Sequence, residues 1–114
     1  MQTLDSNRKR NLEGELNRIV GMLEQEYQPN RILLFGSLVH GHTNSWSDID
    51  LVIIKPTKKR FMERVREVAL LTKPRVGVDF FVYTPEEFKE MTSEEGTFQR
   101  EEMLKKGKVI YDKD

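Results

Sequence analysis

The sequence predicts an α+β fold: a small mixed β-sheet of three to four strands flanked by helices. Two patterns point there. Short apolar runs rich in β-branched and aromatic residues alternate with stretches whose apolar residues recur every three or four positions. The stretch between the first two apolar runs is also too short for a long crossover helix, which suits a mixed sheet with helices packed on it. With 114 residues the chain can fill one modest core, not two.

Leu12, Leu16, Ile19, Val20, Leu23 and Tyr27 line one face of an amphipathic helix expected over residues 8–27. Asp5, Ser6 or Asn7 would cap it, and Gln28-Pro29-Asn30 would end it. Ile32 to Phe35 reads as a buried strand, and Ile49 to Ile54 as a second, interrupted by Asp50. Lys55-Pro56-Thr57 breaks the chain. Phe61, Met62, Val65, Val68 and Ala69 then suggest a helix stopped by Pro74. Val76 to Tyr83 is the clearest strand and carries Asp79 in its middle. Thr84-Pro85-Glu86-Glu87 is a helix start: a threonine cap, proline at the first helical position, and a glutamate that completes a capping box. A further helix is expected from Thr97 to Lys106, with lysines in its last turn and Gly107 beyond it. Val109 to Tyr111 would be a final edge strand.

Composition excludes several functions. Lys plus Arg equals Asp plus Glu at 19 each, so long-range attraction to nucleic acid or an anionic membrane is not the organising feature. There is no cysteine, hence no disulfide, thiolate nucleophile or Cys-based zinc site. The start, MQTLDSNRKR, is polar and is not expected to act as a signal peptide, and no apolar run is long enough to span a bilayer. A cytoplasmic protein is the expectation.

The informative stretch is LFGSLVHGHTNSWSDIDLVI, residues 33–52. Asp48 and Asp50 are one residue apart as a strand begins, so their side chains point the same way. Like charges side by side repel, and burying either one unpaired costs several kcal/mol. A divalent cation resolves both problems, since Mg²⁺ takes carboxylate oxygens, waters and substrate phosphates. Asp79 is a third acid within an apolar strand; if the strands are neighbours, three carboxylates converge, enough for two metal ions. A turn with local hydrogen bonds explains a single Ser-Asp, but not three acids at strand positions below a Gly-Ser turn. Gly36-Ser37 follows a buried strand, where glycine lets backbone N–H groups approach a phosphate closely. No P-loop and no Rossmann fingerprint is present.

Gly36-Ser37, Gly41, Ser47-Asp48-Ile49-Asp50-Leu51 and the later Asp79 together resemble the nucleotidyltransferase domain of the DNA polymerase β superfamily. The short length and the tail EEMLKKGKVIYD look like its minimal nucleotidyltransferase subgroup. The resemblance implies a single nucleotidyltransferase domain over residues 1–114, with its catalytic core at about 31–111 behind the N-terminal helix. By position it implies that Asp48, Asp50 and Asp79 hold two Mg²⁺ ions, with Mn²⁺ as a substitute, and that Asp79 helps activate an attacking hydroxyl. Gly36, Ser37 and Ser47 would bind the nucleotide, with the first two on the β- and γ-phosphates. The implied reaction transfers a nucleoside monophosphate, AMP from ATP, to a hydroxyl of a protein or small molecule. One departure stands out. The subgroup often reads Gly-Ser-Arg-Ala-Arg-Gly, whereas this chain has Leu38 and His40 at the two arginine positions. Nucleotide binding would then be weaker, or lean on His40, Lys55 or Arg75.

Among other candidates, His40 and His42 read as solvated loop histidines rather than a zinc pair, and Lys58-Lys59-Arg60 as a solvated face. Trp46 suits either base stacking or core packing. No segment is expected to grip a nucleic-acid primer. The resemblance implies instead a small helical HEPN-type partner, with this chain as the antitoxin of a pair, or a homo-oligomer. Two functions stand: a metal-dependent nucleotidyltransferase, and a contact module that neutralises a helical partner with little catalysis.

Overall fold

The computed structural model describes residues 2–35, 48–93 and 107–114. Helix α1 (Gln2–Met22) continues as one wide π-helical turn, Leu23–Tyr27, and is followed by strands β1 (Arg31–Phe35) and β2 (Ile49–Ile54). Helix α2 (Phe61–Thr72), strand β3 (Val78–Tyr83), helix α3 (Pro85–Ser93) and strand β4 (Lys108–Asp112) complete the described chain. The strands form one mixed sheet in the order β3-β2-β1-β4. β1 runs antiparallel to β2 and β4, and β2 runs parallel to β3.

Helix α1 starts well before the expected caps, so Asp5, Ser6 and Asn7 lie inside it. The sequence explains this: no glycine or proline interrupts residues 2–13. The helix ends where expected, with Gln28 in the left-handed region (φ 55°) donating its N–H to the Leu23 carbonyl at 2.8 Å. The expected helix at Thr97–Lys106 lies outside the described residues.

One sheet face is closed by α1 and α2. Leu12, Leu16, Ile19, Leu23 and Tyr27 pack with Val68 on Ile32, Leu34, Ile49, Leu51, Ile53, Phe80 and Val82. Each fully buried Ile or Leu contributes roughly 1.5–3 kcal/mol. The other face is thinner. Leu33, Val52 and Ile54 pack under Phe88 of α3, with Phe35 and Tyr83 beside them. The capping box of α3 forms as read: Thr84 N–H donates to Glu87 Oε1 at 2.8 Å, and Glu87 N–H donates to Thr84 Oγ1 at 3.1 Å.

Helix α2 forms where expected, with Val68 buried and Val65 and Ala69 packed against the core. Arg64, Val68 and Thr72, spaced by four, are buried, while Met62 is 71 % exposed. Two polar residues occupy this buried stripe because each finds partners. The Thr72 hydroxyl donates to the Val68 carbonyl at 2.9 Å. The Arg64 guanidinium donates to Lys59 O (2.8 Å), Val82 O (3.0 Å) and the Glu87 carboxylate (2.7 and 3.3 Å).

Candidate active site

The register of the sheet determines where the acids meet. Asp50 on β2 lies opposite Asp79 on β3 and opposite Phe35 on β1. Residues opposite one another in a ladder share a face, so the Asp50 and Asp79 side chains leave the sheet together, from strands about 4.8 Å apart. Their face is that of Val52, Ile54 and Phe81, away from α1 and α2. Asp48 stands just before β2, at the same end. Its N–H donates to Gly77 O at 2.8 Å, and its Oδ2 accepts from Gly77 N–H at 3.3 Å. The Gly77 carbonyl also accepts from Ile49 N–H at 3.1 Å, which ties the entrances of β2 and β3 together.

Asp48 and Asp50 are partly buried, and Asp79 is exposed at the margin of the sheet. Like charges directly opposite one another repel unless a cation or another partner offsets them. Among the described residues no three His, Cys, Asp or Glu side chains are gathered so as to hold a metal ion, so the expected convergence of three carboxylates is not formed by the side chains alone. Mg²⁺ does not require three, because one or two carboxylates with phosphate oxygens and waters complete its octahedron. The all-oxygen donors at this end of the sheet fit such a hard ion.

Gly36, Ser37 and Ser47 lie outside the described residues, as do His40, His42 and Trp46. The chain leaves the sheet at Phe35, opposite Asp50, and returns at Asp48. Both ends of that segment therefore sit at the acid end. Lys55 does not. It follows the far end of β2, where its ammonium donates to the Tyr27 carbonyl at 2.5 Å and lies 4.9 Å from the Tyr27 ring centroid. It closes the end of α1 and is unsuited to a phosphate at the acids. Arg75, two residues before Gly77, is at the acid end with its side chain exposed.

Beyond this geometry, a family model described as "Polymerase beta, Nucleotidyltransferase" matches residues 17–114, which includes all three aspartates. The chain belongs to the polymerase β nucleotidyltransferase family. Consistent with that membership, the fold is similar to the crystal structure of a candidate nucleotidyltransferase from Sulfolobus solfataricus. The TM-score is 0.66 at 16 % identity, over 96 % of this chain and 87 % of that one. No curated protein matches the sequence. Among the described residues, no helix is long and apolar enough to cross a membrane.

The apolar run Val76 to Tyr83 divides between the two faces of the sheet. Phe80 is core, whereas Phe81 is 37 % exposed on the acid face, two residues from Asp79. The period-two alternation from Asp79 already carried that signal.

Proposed function

We propose that this chain is a nucleotidyltransferase that uses Mg²⁺, with Mn²⁺ as a substitute, to move AMP from ATP to a hydroxyl group. The observation that carries the reading is the Asp50–Asp79 register pair with Asp48 beside it, in a chain matched to a nucleotidyltransferase family. Asp48 and Asp50 would hold the metal against the triphosphate, and Asp79 would complete the second metal position. A metal held there would supply positive charge against the phosphates. Gly36, Ser37 and Ser47 would hold the nucleotide. The acceptor oxygen attacks the α-phosphorus, forming a new P–O bond. The bond from that phosphorus to the bridging oxygen breaks, and pyrophosphate leaves with the electron pair. The acceptor proton passes to the Asp79 carboxylate, which is exposed and returns it to solvent.

A second reading is a contact module acting on a small helical HEPN-type partner in the cytoplasm. It is favoured by Leu38 and His40 standing where the subgroup often has arginines. The test uses the purified chain, ATP labelled at the α-phosphate, Mg²⁺ and the product of the neighbouring gene. Transfer of label that falls at least about 100-fold in Asp48→Asn supports the enzyme. Partner neutralisation that survives Asp48→Asn, without label transfer by the wild type, supports the contact module and sinks the enzyme.

A further inference from the structure

β3 is an edge strand of the described sheet, and its two halves are treated differently. Gly77 O and Tyr83 O accept bonds from β2 or the residues flanking it, so the odd-numbered residues turn their backbone groups towards β2. The even-numbered ones, Val78, Phe80 and Val82, turn theirs outward. At the C-terminal half the Val82 carbonyl is covered by the buried Arg64 guanidinium at 3.0 Å. At the N-terminal half, Val78 and Phe80 present two N–H and two C=O groups with no strand beside them among the described residues. An open groove of about 390 Å³ runs along this half, lined by Val65 and Ala69 of α2, by Pro74 and Val76, and by β3 from Val78 to Phe81, Asp79 included.

We propose that this half-edge docks an extended segment of an acceptor protein, paired antiparallel with Val78 and Phe80, and presents a hydroxyl side chain to Asp79. The backbone pattern sets the geometry. With hydrogen-bonded pairs at Val78 and Phe80, the residue opposite Asp79 forms the close, non-hydrogen-bonded pair, with Cβ atoms about 4.5–5.5 Å apart. Its side chain leaves on the acid face, beside the Asp79 carboxylate. The residues on either side of it point to the opposite face and enter the apolar groove under α2. Lys73 and Arg75, both exposed, flank Pro74 at one end of the groove and favour an acidic residue at the end of the segment.

A second copy of this chain fits poorly. Two half-edges paired through Val78 and Phe80 place Asp79 directly opposite its own copy, which repels. The next register, centred on Phe80, needs the Val82 carbonyl that Arg64 already occupies. An amphipathic helix would fill the groove but leave the outward backbone groups unpaired.

The inference takes its chemistry from the nucleotidyl-transfer reading, while the docking itself needs no nucleotide. The test therefore measures them separately. The probe is a short peptide of alternating valine and threonine with one central tyrosine and a glutamate at each end. Amide hydrogen exchange of the full chain is followed by NMR without nucleotide. Protection of the Val78 and Phe80 amides by about tenfold or more is expected, with no protection by a peptide whose valines are replaced by proline. Ala69→Glu, which blocks the groove, should abolish the protection without altering ATP binding. Protection confined to α2 would overturn the proposal in favour of a helical ligand. Protection that rises with protein concentration alone would overturn it in favour of a second copy, and an absence of protection at Val78 and Phe80 would overturn it outright. Labelled ATP and Mg²⁺ are then added. Protection without label leaves the dock standing and defeats the transferase reading; label without protection does the reverse.

Discussion

Replacing Asp79 by asparagine should raise stability when metal is absent, and that advantage should vanish when metal and nucleotide are bound. In metal-free buffer Asp50 and Asp79 are opposed across the β2–β3 ladder, with carboxylates about 5–6 Å apart by strand geometry. Two unit charges at that separation repel by about 0.7 kcal/mol in water and about 3 kcal/mol at an effective dielectric constant of 20. Asp79 is exposed, so the lower figure governs. Asp79→Asn should therefore stabilise the metal-free protein by about 0.5–1 kcal/mol, raising Tm by about 2–5 °C at low salt, and less at high salt. With Mg²⁺ and a non-hydrolysable ATP analogue at ten times the wild-type dissociation constant, the wild type gains about 1.4 kcal/mol. A variant that binds ten times more weakly gains about 0.4 kcal/mol. Its lead is then cancelled. Differential scanning calorimetry in EDTA and in Mg²⁺ reads both effects. A variant less stable than wild type in EDTA would show that Asp79 is a structural residue. Equal Mg²⁺ stabilisation of both proteins would show that the ion binds elsewhere.

Two structural clamps give further predictions. Glu15 accepts from Arg18 Nε and Nη2 at 2.8 and 2.7 Å and from Arg75 N–H at 2.6 Å, and the Arg18 hydrogen bonds, with Arg75 assisting, hold its pKa down to about 2 against the pull of burial. A carboxyl whose folded pKa is depressed stabilises the fold above its ordinary pKa. That contribution, about 1–2 kcal/mol after screening, should fade as pH falls from about 4.5 to about 2, and acid denaturation of Glu15→Gln should lack this component. Arg64→Ala should cost about 2–4 kcal/mol in urea unfolding by stranding Val82 O and Glu87, and should increase light scattering because it lengthens the open edge of β3. Unchanged stability would refute the role assigned to Arg64.

The fold was legible wherever local pattern and tertiary demand agree. Ile49–Ile54 has the bounds the apolar run gave it, and Thr84-Pro85-Glu86-Glu87 forms the box that its spacing announced. Helix α2 was legible from Val65, Val68 and Ala69, but the polar part of its buried stripe was not, for a physical reason. Its buried stripe carries Arg64 and Thr72, polar residues whose partners come from β3, α3 and the helix itself, and periodicity counts only apolar side chains. The acids were legible as a pair and a third member, because carboxylates in apolar strands conflict with burial. That Asp79 lies beside Asp50, rather than elsewhere on the sheet, is a matter of strand order and register, which no local signal encodes. Lys55 shows the converse: its position in sequence suggested a phosphate contact, but its strand carries it to the far end of the sheet.

Strand register also divides β3 into a covered end and an acid-bearing end. On the acid-bearing face, apolar contacts gather towards Ile54 and Tyr83, where Phe88 of α3 covers them. The opposite end holds Asp50 and Asp79, which no helix can cover without desolvating two carboxylates. The edge follows the same division. Arg64 satisfies the Val82 carbonyl at the covered end, while Val78 and Phe80 keep their outward groups beside the acids. A longer α3, or a second arginine along the edge, would strengthen the fold and close the approach to Asp79. On the proposed docking of an acceptor segment, the half-edge left open among the described residues is stability given up for access to the carboxylates.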